Sequence, residues 1–212
     1  MADSPRVAMI DYGSGNLRSV EKALQHAGAD VIRCEAPEKM QQCTAVVLPG
    51  VGSFGDCAQS LEERGLTEPL RAWLAADRPY LGICLGYQIL FDKSEESPGA
   101  CGLGHWRGSV VRFPARKDLK VPHMGWNSLE WRGRDPLFDG LHDPAFVYFV
   151  HSYYPDPADA GLVTASCNHG VAFAAACRRS NIRGVQFHPE KSQETGLCML
   201  KNFVSELRGA TN

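Results

Sequence analysis

The first ninety residues of the chain alternate short apolar runs with amphipathic segments. Apolar runs that end at glycine, proline or a polar loop are typical of buried strands, and they occur at residues 7–10, 31–34, 45–48 and 80–83. Between them, apolar side chains recur every three or four positions, which predicts helices at residues 17–27, 56–64, 67–76 and 87–91. This alternation predicts a mostly parallel sheet covered by helices on both faces.

After residue 99 the pattern changes to short strands. We predict strands at residues 109–113, 128–131, 147–150, 162–166, 171–177 and 182–187, and a C-terminal helix with an apolar stripe that ends at Leu207. Asn168-His169-Gly170 has the composition of a hairpin connection. The fold prediction is therefore one α/β domain over residues 1–212, whose open, mostly parallel central sheet is flanked by helices and carries an antiparallel extension.

Composition and charge limit the kinds of protein that this chain can be. The 212 residues are 44% hydrophobic and 22% charged, as in an ordinary globular domain. A formal net charge of −2 argues against nucleic acid as an obligate partner. The apolar runs are too short to span a membrane, and the first residues lack the basic and apolar regions of a signal peptide. A cytoplasmic location follows as the expectation.

One of the eight cysteines lies in a context that favours chemistry. Cys84 sits between Gly82 and Gly86, at the end of a predicted strand. This spacing is typical of a nucleophile on a sharp strand-to-helix turn, because glycines leave room around a strained residue. The other seven cysteines show no CxxC spacing, and His123, His151 and His169 have no metal-ligand spacing with them, so we read these histidines as structural or interfacial. The sequence predicts no metal and no cofactor.

A base and a carboxylate follow about a hundred residues later, in His188-Pro189-Glu190. In an extended segment, residues two apart point the same way, so both side chains can face one site. The sequence therefore predicts a catalytic triad, with Cys84 as nucleophile, His188 as base and Glu190 as the group that orients the imidazole.

A thiolate that attacks a carbonyl also needs donors for the developing oxyanion. The backbone amide of Leu85 is one candidate. The glycine-rich loop at residues 49–55, in particular Gly50, Val51 and Gly52, follows a neighbouring strand and is the other. Because glycines let a peptide flip at low cost, we expect this oxyanion site to form only part of the time.

These segments resemble class I (triad-type) glutamine amidotransferases. The resemblance rests on Gly82-Ile83-Cys84-Leu85-Gly86-Tyr87-Gln88, the loop at residues 49–55 and Phe187-His188-Pro189-Glu190. Within the family, residues 11–20, Val121-Pro122-His123-Met124-Gly125-Trp126-Asn127 and Phe149-Val150-His151-Ser152-Tyr153-Tyr154 are similar to the glutaminase subunits of imidazole glycerol phosphate synthase.

The resemblance implies that L-glutamine is hydrolysed to glutamate and ammonia through a thioester on Cys84. It implies that Gly52, Gln88, Ser152 and Tyr153 hold the substrate. It also implies a separate (β/α)₈-barrel cyclase subunit as partner in a heterodimer, since 212 residues are too few to contain such a barrel. Asn16, Trp126 and Lys191 match positions near that partner, and Trp126 is expected to be exposed in a Gly-Trp-Asn loop.

Two other interpretations remain. The chain could be the amidotransferase component of another pathway, for anthranilate, aminodeoxychorismate, a purine intermediate or pyridoxal phosphate, although Pro-His-Met-Gly-Trp-Asn is not associated with those relatives. A non-catalytic binding module on the same scaffold is the third interpretation, and the complete set of triad residues argues against it.

Overall fold

A computed structural model describes residues 4–13, 16–117 and 119–209. The strands are Arg6–Ile10 (β1), Asp30–Cys34 (β2), Ala45–Gly50 (β3), Tyr80–Cys84 (β4), Phe91–Ser94 (β5), Trp106–Arg112 (β6), His123–Ser128 (β7), Glu130–Trp131 (β8), Phe146–His151 (β9), Tyr153–Pro157 (β10), Val163–Asn168 (β11), Ala172–Arg179 (β12) and Ile182–Val185 (β13). The helices are Leu17–His26 (α1), Pro37–Met40 (α2), Phe54–Glu63 (α3), Thr67–Ala75 (α4), Leu85–Gln88 (α5) and Gln193–Gly209 (α6). Ser14 and Gly15, within the segment 11–20 considered above, lie outside the described residues.

The central sheet has eight strands in the order β2-β1-β3-β4-β13-β12-β11-β8. Its first five strands are parallel, and β12, β11 and β8 continue it in antiparallel pairing. Two smaller sheets, β10-β6-β5 and β7-β9, complete the strand pairing. The predicted fold, a mostly parallel sheet with an antiparallel extension, is confirmed.

Side-chain alternation along the buried strands creates a core on each face of the sheet. Val7 and Met9 of β1 pack into one hydrophobic cluster with α1 and α6, whereas Ala8 and Ile10 pack into a second cluster with α3 and α4. Because both faces are covered, the strands read as continuous apolar runs rather than alternating ones. That is why the strand predictions in the first ninety residues are accurate to within a few residues.

The C-terminal helix α6 is held by the apolar stripe that the sequence shows. Met199, Leu200, Phe203, Val204 and Leu207 are all buried in the first cluster. Burial of each large apolar side chain contributes roughly 1.5–3 kcal/mol to stability. At 17 residues α6 is still short of a bilayer, and none of the helices among the described residues is long and apolar enough to cross one.

Three local predictions are wrong. The helix predicted over residues 87–91 ends at Gln88, and Phe91 begins β5, where it lies parallel to β6. The strand predicted over residues 128–131 is two strands separated by Leu129. Trp126 lies on β7, paired with β9, rather than in a loop. In each case the backbone conformation is decided by pairing with a distant strand. Local periodicity in the sequence carries no information about that pairing.

Candidate active site

The strand β4 ends in a strained turn at Cys84. Its φ of +54° and ψ of −105° are rarely adopted by residues other than glycine. Such a conformation persists only where the surrounding structure enforces it, and here β4 is held between β3 and β13 in the middle of the sheet. The thiol is therefore presented at the carboxyl end of the sheet, where open α/β folds bind ligands.

The glycines on either side of Cys84 are required by close backbone approach. A Cβ atom at Gly86 would lie 1.8 Å from the carbonyl oxygen of Leu48, and one at Gly82 would lie 2.2 Å from the carbonyl oxygen of Gly86. Neither space can be opened without moving the backbone of β3 or α5. The Gly-x-Cys-x-Gly spacing in the sequence is thus a packing requirement of the turn.

His188 and Glu190 lie just after β13, the strand next to β4, and residues Pro189–Lys191 form a short 3-10 helix. The Nδ1 of His188 lies 2.9 Å from Oε1 of Glu190, and both side chains are almost completely buried. The backbone of His188 is anchored on both sides, since its amide donates to Tyr148 and its carbonyl accepts from the hydroxyl of Ser192. The structure brings Cys84, His188 and Glu190 together, although a 3-10 turn, not the extended segment expected from the sequence, places Glu190 beside His188.

The electrostatics of the trio favour a charged imidazole. Burial alone would lower the pKa of His188, but its interactions with Cys84 and Glu190 outweigh burial and raise that pKa to about 10. Nδ1 of His188 is hydrogen-bonded to Glu190, whereas Nε2 makes no hydrogen bond of normal geometry with any of the described residues. His188 can therefore hold a proton opposite the sulfur of Cys84.

A pocket of about 240 Å³ opens over Cys84 and His188. It is lined by the residues predicted to bind substrate, which are Gly52, Gln88, Ser152 and Tyr153, and by Val51 and Leu85 from the predicted oxyanion site. Gly50 is the exception, because it lies below the pocket, where a Cβ atom would be 2.7 Å from Cβ of Leu85 and from the hydroxyl of Tyr12.

Three residues that sequence reasoning missed also belong to this region. Glu96 and His151 line the pocket, and Gln186 donates from Nε2 to the sulfur of Cys84 over 3.6 Å. Nothing near Glu96 in the sequence links it to the site, because the turn that follows β5 carries it there. Gln186 lies two residues before His188, and this proximity is the feature of the sequence that could have indicated its place in the site.

His123, His151 and His169, read as structural or interfacial, form a stacked cluster beside the pocket. The rings of His123 and His169 are stacked with centroids 4.1 Å apart, and Nδ1 of His123 lies 3.1 Å from Nε2 of His151. Burial lowers the pKa of His123 to about 4 and that of His151 to about 3. Both imidazoles are therefore neutral near pH 7. They contribute packing and hydrogen bonds beside the pocket, not positive charge.

The residues predicted to face a partner lie on the surface around β7. Trp126 is 48% exposed and packs edge-on against Tyr148, with ring centroids 6.1 Å apart. The ammonium of Lys191 lies 5.8 Å from the centroid of the same Tyr148 ring. Asn16 is exposed and immediately precedes α1, a helix that contacts the turn containing Lys191. Trp126 is exposed, as predicted, although it lies on a strand.

Comparison with known proteins agrees with this geometry. A family model described as glutamine amidotransferase class-I matches residues 8–207. The chain is 46% identical over 203 residues to a Geobacter sulfurreducens protein named imidazole glycerol phosphate synthase subunit HisH, covering 93% of this chain and 97% of that one. It is 49% identical over 208 residues to the protein of the same name from Aromatoleum aromaticum, covering 94% and 97%.

Solved structures share the fold at lower identity. A structure described as a glutamine amidotransferase superposes with a TM-score of 0.75 at 20% identity, covering 96% of this chain and 98% of that one. The structure of PurLQS from Thermotoga maritima gives a TM-score of 0.77 at 19% identity, covering 96% and 99%. At these identities the likeness shows the fold alone.

Proposed function

Because this chain belongs to the class-I glutamine amidotransferase family, we propose that it is the glutaminase subunit of an imidazole glycerol phosphate synthase. It hydrolyses L-glutamine to glutamate and ammonia and supplies the ammonia to a separate cyclase subunit in histidine biosynthesis. The pathway is supported by 46–49% identity to HisH subunits over nearly the full length of both chains. The chemistry is carried by one observation, the buried His188–Glu190 pair facing the strained Cys84 at the pocket floor.

The proposed reaction uses the proton stored on His188. The Cys84 thiolate attacks the carboxamide carbon of glutamine, and the imidazolium protonates the leaving ammonia as the C–N bond breaks. His188, now neutral, removes a proton from water, which attacks the γ-glutamyl thioester and releases glutamate. Glu190 holds the imidazole tautomer through Nδ1 and stabilises its cation in both steps.

The pocket offers suitable groups for the amino-acid end of glutamine. Gln88 presents its side-chain amide, Glu96 brings a carboxylate that can balance the α-ammonium group, and Ser152 and Tyr153 bring backbone from the β9–β10 connection. One oxygen of Glu96 already accepts from the amide of Phe54 over 2.8 Å, which holds the side chain in place. Its charge is therefore fixed at the pocket wall.

The oxyanion site is proposed to be gated. The amide of Leu85 is the first in α5, so no intrahelical carbonyl accepts from it. Val51 differs, since its backbone interacts with the Tyr12 hydroxyl beneath the loop, in a contact looser than a normal hydrogen bond. A Val51 amide that faces Tyr12 is not directed at an oxyanion in the pocket. This supports the switch expected from the glycines of the loop.

The partner surface in this proposal is the outer face of the small β7–β9 sheet. Met124, Trp126 and Phe146 leave 63%, 48% and 49% of their surface exposed. They share one face because β7 and β9 pair in register, with Trp126 opposite Tyr148. A contiguous apolar patch of this kind marks a docking surface. We assign it, with Lys191 and Asn16 at its edge, to the (β/α)₈-barrel cyclase subunit.

Two remaining expectations are part of the same proposal. We propose that residues 1–212 act as one amidotransferase domain, because a single eight-stranded sheet joins the N-terminal and C-terminal halves of the chain. We also propose a cytoplasmic location, which is supported by eight cysteines that are all free thiols.

The proposal is tested by measuring glutamate release with and without the purified cyclase subunit and its nucleotide ligand. The isolated subunit is expected to be slow. The complex is expected to release glutamate about 10²–10³ times faster, which is the effect on kcat of one hydrogen-bond donor to the oxyanion. The control omits only the nucleotide. Equal rates in all three samples would contradict the gate, and no binding to the cyclase subunit would favour a different amidotransferase pathway.

Charge reversal at Lys191 tests the partner surface. Lys191→Glu is expected to weaken binding to the cyclase subunit about tenfold, because it removes a cation beside Tyr148 and places a carboxylate at the interface. Isothermal titration calorimetry measures the dissociation constant, and Lys201→Glu, on the exposed side of α6, is the matched control. An unchanged dissociation constant for the Lys191 variant would remove this residue from the interface.

A further inference from the structure

A buried glutamine joins the nucleophile to the proposed substrate-binding side chain. Gln186 follows β13, and its side chain is completely inaccessible to solvent. Its Nε2 donates to the sulfur of Cys84 over 3.6 Å, and its Oε1 accepts from Nε2 of Gln88 over 3.1 Å. Its backbone amide donates to Ala175 over 2.8 Å, which ties this segment to β12. The side chain therefore has little freedom to leave its position.

The hydrogen bonds of the two amides assign their orientations. The carbonyl of Tyr153 can only accept, so Gln88 must face it with Nε2, at 2.9 Å. The second hydrogen on that Nε2 then points at Gln186, which must meet it with Oε1. Gln186 consequently has to face the sulfur of Cys84 with its N–H group. Turning over either amide would set donor against donor or acceptor against acceptor.

This arrangement leaves Oε1 of Gln88 for the pocket. Both hydrogens of its Nε2 are engaged by protein groups, and within the described part of the chain no side chain or backbone amide donates to Oε1. Gln88 lines the pocket, so the group it offers a ligand is an acceptor. An acceptor suits the N–H donors of glutamine, which carries an ammonium group and a carboxamide. Without Gln186, the Gln88 amide would lose the partner that fixes this orientation.

We propose that Gln186 is a positioning residue that holds the Cys84 sulfur and sets the amide orientation of Gln88, so that nucleophile and substrate are aligned together. The proposal rests on the proposed function in one respect, namely that glutamine is the substrate. Gln186 has no direct contact with substrate in this role. It acts through Cys84 by an N–H···S contact that favours the thiolate, and through Gln88 by its carbonyl oxygen.

The test compares two substitutions of nearly the same size. Gln186→Met removes the donor and the acceptor. It is expected to lower kcat about tenfold and to raise KM for glutamine about tenfold, the effect of one buried hydrogen bond on each side. Gln186→Glu, assayed at pH 8.5, keeps an oxygen for Gln88 but loses the N–H that faces the sulfur. It is expected to lower kcat while KM stays close to that of the unsubstituted protein.

A second readout needs no substrate. The rate at which iodoacetamide alkylates Cys84, followed by peptide mass spectrometry, is expected to fall several-fold in both variants because the thiolate loses a donor. Asn202→Leu is the control, since it removes two amide hydrogen bonds to backbone carbonyls far from the pocket. Unchanged alkylation, or a lower kcat with KM unchanged in Gln186→Met, would reduce Gln186 to a structural residue. If the unsubstituted protein does not hydrolyse glutamine, but its Gln186 variants are still alkylated more slowly than it is, the proposed function is overturned and the contact between Gln186 and the sulfur is retained.

Discussion

Replacement of Cys84 by alanine is expected to abolish glutamine hydrolysis, with a loss of about 10⁴-fold or more. The sulfur is the atom that forms the thioester in the proposed mechanism, and water from the pocket cannot replace it as an attacking group held at the strained turn. The measurement is glutamate release by the complex with the cyclase subunit, under conditions in which the unsubstituted enzyme is fully active.

The fold is expected to survive this substitution. Alanine keeps the backbone conformation that Cys84 adopts at φ +54° and removes one sulfur atom from the pocket floor. The thermal unfolding midpoint is therefore expected to stay within a few degrees. Cys167→Ala is the matched control, because Cys167 is also buried but lies on β11, and burial raises its pKa to about 12. Retained turnover in Cys84→Ala, or loss of turnover in Cys167→Ala, would contradict the assignment of the nucleophile.

Replacement of Glu190 by glutamine is expected to lower kcat by about 10³–10⁴. Glutamine is isosteric but carries no charge, so it stabilises neither the imidazolium nor the tautomer with the proton on Nδ1. Glu190 is buried within 2.9 Å of that atom, which leaves no space for a water molecule to take over the role. Binding of the cyclase subunit is expected to remain intact, and calorimetry of the complex serves as the control.

The same substitution has a signature in the pH dependence of stability. The pKa of His188 is about 10 in the folded protein against 6.5 as its reference value, so the folded state binds the imidazole proton more tightly. This contribution to stability is fully present below about pH 6.5 and is lost as the pH rises through about 10. The difference in unfolding free energy between the unsubstituted protein and Glu190→Gln is expected to shrink across this window. A difference that grew with pH would contradict a protonated His188.

The elements that were predicted correctly are those whose hydrophobic pattern is set by residues close together in the sequence. The first four parallel strands agree with the sequence because they are continuous apolar runs. The helices α1, α3 and α4 and the final helix agree because their apolar residues recur every three or four positions. The errors cluster where a segment is short and its partner distant. Residues 87–91 satisfy a helical pattern, but Phe91 pairs with Trp106 and continues as β5. The aromatic packing of that strand outweighs a weak local preference.

The site, like the fold, was predicted correctly where the signal is local and was missed where distant segments meet. Cys84, with its two glycines, and the His188-Pro189-Glu190 run are each local motifs, and the structure brings them to one pocket. Glu96 and Gln186 carried no motif of their own. Glu96 reaches the pocket in the turn after β5, the strand that the pattern missed, and Gln186 contacts a sulfur 102 residues away along the chain.

The sequence by itself determined the first four strands, the long helices, the strained turn and the residue types available for chemistry, because helix period, strand burial and the need for glycine act between near neighbours. Only the tertiary structure decided which groups meet. It set the hydrogen-bonded path from Tyr153 through Gln88 and Gln186 to Cys84. These contacts join segments that are far apart in the chain, and their geometry follows from how the strands pair and the core packs, which no local pattern encodes.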